Sequence, residues 1–310
     1  MQHPLQIFVQ QLINGLSIGS TYALIALGYT MVYGVLRLIN FAHGDVYMVG
    51  ALIAWYICSH FSGPAWLVLT VAFATAMLGC TLLGFAIEFF AYRPLRSRPR
   101  LVALITAIGV SFLLENLGIL IYGPTPHAMP ALFVIRPIIS FHVARNSEPV
   151  SISNLDVLSL ALMVALMIVL TWMVLKTKTG LALRAVSHRF DTAALMGINP
   201  NRTISFTFMF GSALAAIAGV LNGIRYNVEP LMGVMPGIKA FVAAVLGGIG
   251  NIPGAVIGGL LMGLIETMLK GWILPSGYTG YADAAAFLVL ILILLIKPSG
   301  LLGRHVPEKV

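Results

Sequence analysis

The stretch LDVLSLALMVALMIVLTWMVL, residues 155–175, decides the fold class, because no charged side chain follows Asp156 within it. A helix needs about 20 mostly apolar residues to cross about 30 Å of hydrocarbon. Further stretches that we interpret in the same way are residues 66–90, 101–122, 203–224 and 281–296. The sequence therefore predicts a polytopic membrane protein, and we expect the 155–175 helix to face lipid over much of its surface.

The composition agrees with this class. Of 310 residues, 59% are hydrophobic and only 9% are charged, and the mean hydropathy is +0.96. A soluble domain carries about 25% charged residues, so this chain cannot cover a water-facing surface. The net charge of +8 does not indicate a nucleic-acid partner, because the basic residues lie between apolar runs. We expect one membrane domain over residues 1–310, in contact with membrane lipid.

Lys and Arg are unevenly distributed among the predicted loops. The 93–100 loop has four and no acid, the 176–202 loop has five against one acid, and residues 297–310 have three. The long 123–154 loop has only Arg136 and Arg145, with Glu148. By the positive-inside rule the first three segments are cytoplasmic and the 123–154 loop is periplasmic. Alternation along the chain then puts the N-terminus outside.

Two regions are less regular than one spanning helix. Residues 8–60 predict two or three helical pieces, with breaks near Asn14-Gly15, Gly19-Ser20 and residues 40–44. With them, we expect an all-α bundle of about eight membrane segments.

The second irregular region begins with a short helical piece. Residues 237–246 reach only about 15 Å as a helix, and the glycine-rich stretch 247–254 and a helix to about Lys270 follow. We expect this piece to be re-entrant and to line a path; a turn near one surface is the alternative. Residues 34–51 and 247–259 share the order short helix, break, glycine and apolar helix, which suggests two repeats.

Small residues recur at every fourth position in three predicted helices. This spacing lets helix backbones approach closely in lipid, so it predicts a compact bundle, with contacts either within the chain or to another chain. The stripes are Gly15, Gly19 and Ala23; Gly211, Ala215, Gly219 and Gly223; and Ala255, Gly259 and Gly263.

The basic loop 178–202 predicts an amphipathic helix from Leu181 to Met196, ended by Gly197 and Pro200. Its small apolar patch suits a groove on a soluble partner, and the alternative is a helix lying on the membrane surface. The candidate contact residues are Arg184, His188, Arg189, Asp191, Ala193, Ala194 and Gly197.

From about residue 8 to residue 304 the chain resembles the LivH-type permeases of bacterial ABC importers for branched-chain amino acids. The resemblance is strongest in GSTYALIALGYTMVYG (19–34), INFAHG (39–44), AYRP (91–94), AAVLGGIG (243–250), IPGA (252–255) and PSGLLG (298–303). It implies a multi-pass protein of the bacterial inner membrane that works by alternating access.

The resemblance also implies the partners. They are two ABC ATPase subunits that bind ATP and magnesium, a second permease paralogue and a periplasmic branched-chain amino acid binding protein. This chain lacks the Gly-Lys-Ser/Thr of a phosphate-binding loop, so we expect no cofactor and no enzyme activity of its own. The resemblance implies that the 178–202 loop is the coupling segment, where the family has an acid, two alanines and a later glycine. This chain has the two alanines at 193–194, but Gly197 lies one position closer to them than in the family and Thr192 stands where the family has the acid.

Polar residues in the membrane segments are the candidates for the path, because a charge in lipid is costly without a function. Asp45 is expected to cap the helix after it, Lys239 to pair with Glu266, and Lys270 to extend to the interface. The path candidates are Asn40, His43, Asp45, Glu115, Asn116, Lys239, Gly247, Gly248, Gly250 and Asn251.

Other functions remain open at this stage. An importer for urea, an amide or a sugar would have the same architecture, and a stand-alone secondary transporter would work without ATP. The sequence offers no catalytic set, and the spacing of its histidines is not that of a metal site.

Overall fold

The computed structural model describes residues 4–96, 98–142, 149–273, 279–297 and 299–303. Arg145, Glu148, Pro298, Arg304 and Lys309, which the sequence interpretation used, lie outside these ranges. The helices are α1 (Pro4–Leu36), α2 (His43–His60), α3 (Ala65–Ala86), α4 (Arg100–Tyr122), α5 (Asn154–Lys176), α6 (Lys178–His188), α7 (Phe190–Leu195), α8 (Pro200–Arg225), α9 (Val234–Gly247), α10 (Ile252–Met268) and α11 (Ala282–Ile296).

Two of these helices continue in wider or tighter turns. A π-helical turn, Ile87–Tyr92, and a 3-10 turn, Arg93–Leu95, extend α3, and a π-helical turn, Leu269–Ile273, extends α10. Within the described residues, six helices are long and apolar enough to cross a membrane: α1, α3, α4, α5, α8 and α10. The helices α9 and α11 have 14 and 15 residues. A polytopic helical bundle is therefore confirmed, whereas the number of eight membrane segments is not.

The helix α5 faces outward as the sequence predicts. In the most apolar 18-residue stretch of α5, only 22% is buried inside the protein. The corresponding shares are 83% for α1 and 78% for α8. The bundle therefore has α1 and α8 at its centre, and α5 is one of the helices around them.

The expected breaks near Asn14-Gly15 and Gly19-Ser20 are wrong, because α1 is one continuous helix of 33 residues. A glycine inside a helix costs only about 1 kcal/mol relative to alanine, and here the backbone of α10 occupies the space beside Gly15 and Gly19. The break expected near residues 40–44 is confirmed: α1 ends at Leu36, Arg37 has a φ of 53°, and residues 38–42 lead into α2.

The three small-residue stripes make contacts within the chain. A Cβ on Gly259 would meet the backbone of Ala23, and one on Gly263 would meet the backbone of Gly19, so α1 and α10 are in direct backbone contact. In α8, Gly211 faces the backbone of Gly28, Gly219 faces the backbone of Tyr47, and Ala215 is fully buried. Packing within the chain therefore explains these stripes, and the alternative of contacts to another chain is not needed to explain them.

The bundle has a basic end and an outer end. The basic end comprises residues 93–96, 98–100, 177–199, 297 and 299–303. There Arg96 donates to the Asn201 side chain, which joins the turn after α3 to the start of α8. The outer end comprises residues 61–64, 123–142, 149–153 and 226–229, and the backbones of His127 and Val228 pair across it. The loops that the positive-inside rule assigns to one side thus lie together.

A small antiparallel hairpin at the outer end is the exception to the all-helical prediction. Its strands are β1 (Pro137–Phe141) and β2 (Val150–Ser153), with Phe141 opposite Val150. After β2, Ser153 and Asp156 form a reciprocal capping box that starts α5.

The short helix of the second irregular region is α9, which is longer than the predicted 237–246. Leu301 and Leu302 donate backbone hydrogen bonds to Leu246 and Gly247, at 2.8 and 3.1 Å. The turn after α9 therefore lies at the basic end. This agrees with the alternative prediction of a turn near one surface and not with a re-entrant piece that reverses at mid-depth. Whether the two irregular regions are repeats stays a prediction.

The contact between α1 and α10 gives a test of the fold. We expect Gly263→Leu to destabilise the protein by about 3 kcal/mol, because the new side chain would meet the α1 backbone and not a flexible side chain. Gly109→Leu is the matched control, since a Cβ there has nothing within 4 Å. Thermal unfolding of the purified protein measures both; equal melting temperatures would contradict the direct contact.

Candidate translocation path

A cavity of about 630 Å³ lies at the basic end and is here named the inner cavity. Its wall is formed by the last turns of α1 and α5, one face of α6, the turn from Ile249 to Pro253, and residues 302–303. Thr30, Arg184 and Asn251 bring polar groups to a mostly apolar wall. Its volume lies in the range of about 300–1,000 Å³ that small-molecule sites occupy.

The turn that lines the inner cavity depends on two glycines. Gly248 and Gly250 have φ values of 102° and 90°, a region that residues with a Cβ rarely adopt. Asn251 then caps α10 by accepting from Gly254 N at 3.3 Å, and its side-chain amide donates to Leu302 O at 2.9 Å. Among the predicted path residues, Gly250 and Asn251 line the cavity, whereas Gly247 and Gly248 pack against the backbones of Gly254 and Gly303.

A second cavity, of about 380 Å³, lies towards the outer end and is named the outer cavity. It is enclosed by α1, α2, α8, the start of α9 and the end of α10. Apolar atoms form most of its wall, as in the inner cavity, but most of its lining residues carry a polar group: Thr21, Tyr22, Tyr47, Asn222, Arg225, Tyr226, Glu266, Thr267 and Lys270.

A buried charge cluster supports one side of the outer cavity. Lys239 Nζ lies 2.9 Å from Glu266 Oε1 and 2.8 Å from Asp283 Oδ1, so the predicted Lys239–Glu266 pair is confirmed. Tyr22 donates its hydroxyl to Glu266 Oε2 at 2.7 Å. Lys270 also binds Glu266, at 2.5 Å, which corrects the expectation that it only reaches for the interface.

A second cluster of charges joins α1, α5 and α8. Arg225 binds Asp156, and Ser17 donates to the same Asp156 oxygen at 2.6 Å. The sequence interpretation missed this cluster, although an Asp at the start and an Arg at the end of two apolar segments was a usable signal. Both ends of the pair lie at the outer half of the bundle, and Arg225 lines the outer cavity.

The two cavities are separated by the middle of α1. Tyr22 lines the outer cavity and Thr30 the inner one, and between them the residues from Ala23 to Leu27 are fully buried. The ring of Tyr29 packs edge-on against His43, with centroids 4.7 Å apart. This segment of α1 is therefore packed against the protein between the two cavities, and we interpret it as the closed part of the candidate path.

Several predicted path residues lie away from both cavities. Asn40 accepts a hydrogen bond from the Tyr92 hydroxyl at 3.1 Å. Asp45 is in the first turn of α2 but does not cap it, because Ala42 is the N-cap and Asp45 accepts instead from Ser111 of α4. His43 is buried beside Tyr29. The cause is tertiary: the close approach of Gly44 to Gly233 and Gly237 draws this segment into helix contacts.

The two predicted path residues of α4 also lie away from both cavities, in different surroundings. Glu115 is largely buried and shares Ser111 with Asp45. Asn116 is exposed and donates to Phe112 O of its own helix at 2.7 Å. Neither lines the inner or the outer cavity.

The predicted helix from Leu181 to Met196 is in fact two helices, α6 and α7, separated at Arg189, whose backbone is extended. In one continuous helix Phe190 would follow Leu183 and Val186 on the buried face; the break turns it outward, where it is 44% exposed. Thr177 caps α6 by accepting from Gly180 N at 3.1 Å.

The end of α7 presents apolar side chains to the surroundings. Leu195 is 87% and Met196 79% exposed, whereas Ala193 is buried and therefore does not offer a contact surface. Gly197 has a φ of 81°, and the backbone bonds Gly197 N to Ala194 O and Ile198 N to Ala193 O close the helix. Arg184, His188, Arg189, Asp191 and Ala194 are exposed.

A buried acid anchors this basic end. Glu88 is fully buried in the π-helical turn after α3 and binds both Arg93, at 2.9 Å, and Arg96. Ser205 of α8 donates to Glu88 Oε2 at 2.6 Å. The sequence interpretation counted the arginines of this loop but missed their partner, because Glu88 lies inside an apolar run.

Within the described ranges, no group of three or more His, Cys, Asp or Glu residues is arranged to hold a metal ion.

Comparison with known proteins gives matches over nearly the whole chain. The family model described as branched-chain amino acid transport system / permease component matches residues 11–296. The high-affinity branched-chain amino acid transport system permease proteins LivH of Salmonella typhimurium and LivH of Escherichia coli K12 are each 43% identical over 308 residues, which is 98% of either chain. BraD of Pseudomonas aeruginosa, with the same description, is 43% identical over 310 residues, again 98% of each chain.

Among solved structures, PsaBC from Streptococcus pneumoniae in complex with Fab aligns over 95% of both chains. Its sequence identity is 14% and its TM-score 0.43, which is too low to carry an argument about fold or function.

Lys239 gives a test of the buried charge cluster. We expect Lys239→Met to lower the free energy of unfolding by about 3 kcal/mol, because Glu266 and Asp283 lose a buried partner. Lys176→Met is the matched control, since that lysine is exposed at the end of α5. Denaturant titration of both variants measures the difference, and an unchanged midpoint for Lys239→Met would show that the cluster adds no stability.

Proposed function

The chain belongs to the family of branched-chain amino acid transport permease components, and on that premise we propose that it carries leucine, isoleucine and valine inward through an ATP-driven importer. It is the membrane-spanning permease and has no enzyme activity of its own. The proposal places it in the inner membrane of a bacterium, with its basic end in the cytoplasm.

One observation carries the proposal: two cavities lie in opposite halves of one bundle and are separated by a closed segment of α1. Alternating access requires such an arrangement, because the path must never be open to both sides at once. A channel would need a continuous passage. The mostly apolar inner cavity also suits a solute with an apolar tail.

The basic end supports the assignment of ATPase partners. Leu195 and Met196 expose large apolar side chains beside Arg189 and Asp191, and an apolar helix end in a charged rim fits a groove on a soluble protein. We assign α6 and α7 as the coupling segment on this basis. ATP and magnesium would bind to two ATPase subunits, and a second permease and a periplasmic binding protein would complete the complex.

The mechanism follows from this assignment. A loaded binding protein docks at the outer end, where the hairpin β1–β2 and the loop before it lie. Closure of the ATPases then shifts α7 and α6, and because α6 lines the inner cavity the shift changes the wall of that cavity. Opening of the α1 segment releases the amino acid to the cytoplasm.

The first experiment reconstitutes the purified complex in proteoliposomes and measures uptake of radiolabelled leucine. Uptake should need ATP and the binding protein, and unlabelled isoleucine and valine should compete whereas urea, acetamide and ribose should not. Mass spectrometry of the copurifying chains should find two ATPases and a second permease. Uptake that persists without the ATPases would instead indicate a secondary transporter, and competition by urea would indicate a different solute.

Ala194 gives a test of the coupling segment. We expect Ala194→Arg to reduce leucine uptake at least about tenfold, because a long cation at this exposed position would obstruct docking of an apolar helix end. ATP hydrolysis by the purified complex should no longer respond to the loaded binding protein. Ala194→Ser, which keeps the side chain small, should transport normally. Normal uptake by Ala194→Arg would remove the coupling assignment.

A further inference from the structure

The outer cavity contains a buried hydroxyl without a partner. Tyr47 of α2 is fully buried and lines the cavity. Its hydroxyl lies near the Asn222 side chain but does not reach hydrogen-bond geometry with any group in the described structure. A buried hydroxyl that is left unpaired keeps its full desolvation penalty. Because the Tyr47 hydroxyl lines a cavity, a ligand or a water molecule in that cavity can form the missing hydrogen bond.

The charges around the same cavity balance. Arg225 pairs with Asp156, while Lys239 and Lys270 pair with Glu266 and Asp283. A ligand with one net charge would leave that charge uncompensated among these neutral pairs, which is expensive away from water. A ligand that carries one positive and one negative group meets both signs and adds no net charge.

The lining groups differ in how free they are to meet a ligand. The Lys270 side chain is 40% exposed and that of Arg225 22%, whereas that of Glu266 is 5% exposed and held by Lys239, Lys270 and Tyr22. An ammonium has three N–H donors and a guanidinium five, so the partly exposed Lys270 and Arg225 can bind a ligand carboxylate while they stay paired with Glu266 and Asp156. Ile18 and Pro236 provide apolar wall between them.

We propose that the outer cavity is a binding site for the α-ammonium and α-carboxylate groups of a zwitterionic amino acid on the outer side of the closed α1 segment. Lys270 and Arg225 bind the carboxylate, the Tyr47 hydroxyl and Glu266 accept from the ammonium, and the side chain lies against Ile18 and Pro236. The site deepens the proposed function and rests on it for the direction of movement.

The test uses the intact complex in nanodiscs, without the binding protein. Thr21 lines the cavity, and in Thr21→Cys we expect a charged methanethiosulfonate reagent, added in water, to label this chain. Leucine should slow the labelling, whereas isoamylamine and 4-methylpentanoate, which each keep one of the two charged groups, should not. Glu229→Cys is the matched control, since Glu229 is exposed at the outer end and does not line the cavity.

The hydroxyl of Tyr47 provides the second measurement. In the Thr21→Cys background, Tyr47→Phe should raise the half-protecting leucine concentration roughly three- to tenfold, as expected for one lost hydrogen bond. Tyr56→Phe removes a hydroxyl at the same end but outside the cavity and should have no effect. If Thr21→Cys assembles poorly, Ile18→Cys replaces it as the reporter.

Three results would overturn the site: no labelling at Thr21→Cys and Ile18→Cys, equal protection by leucine and the two singly charged analogues, or an unchanged half-protecting concentration in Tyr47→Phe. Leucine uptake by the wild-type complex is measured separately. If uptake fails but protection is seen, the transport proposal is wrong and the site stands; if uptake succeeds without protection, only the site is wrong.

Discussion

The direct backbone contact between α1 and α10 is the constraint on which the remaining structure depends. Gly15 faces Leu264 and Thr267, Gly19 faces Leu260, and Ala23 faces Gly259, so the two helices run antiparallel. Helical side chains lean towards the N-terminus of their own helix, and in an antiparallel pair Tyr22 and Glu266 therefore lean towards each other. Their 2.7 Å hydrogen bond follows from the register that the glycines set, and so does the position of the outer cavity beside them.

The absence of water in the membrane interior explains where the charges lie. An ion without a partner is costly there, and the charged residues around the outer cavity are held in two clusters, one around Lys239 and one around Asp156. The middle of α1, from Ala23 to Leu27, contains only apolar side chains. A zwitterion that follows the proposed path must therefore exchange its partners at the outer cavity before it passes this segment. The barrier to leakage is then the same apolar packing that stabilises the bundle.

The sequence predicted the class of fold well and the site less well, for physical reasons. Long apolar runs and the placement of Lys and Arg depend only on the membrane, so the segments at 101–122 and 155–175 and the grouping of the basic loops were found. The pairing of Lys239 with Glu266 was also predictable, because two opposite charges in neighbouring helices have few other partners. Breaks were harder: glycines at 15 and 19 resemble helix breaks in sequence, and only the neighbouring backbone of α10 shows that they are contact positions. The partners Ser17 and Arg225 lie far from Asp156 in sequence, so no local pattern pairs them. Glu88 was missed for another reason: it lies inside an apolar run, although Arg93 and Arg96 follow it closely.

The coupling segment and the inner cavity share one helix, and this has a consequence for how force would travel in the proposed importer. Leu183 and Val186 fix one face of α6 within the protein, while Arg184 and Ser187 of the same helix line the inner cavity. Rigid helix separates these positions from Arg189, and Leu195 lies only six residues further on. A displacement applied at the exposed end of α7 would therefore reach the cavity wall through two short helices joined at Arg189, and it would not need to pass through the α1–α10 contact. That contact can stay intact while the inner cavity changes shape, which is what alternating access demands of the centre of the bundle.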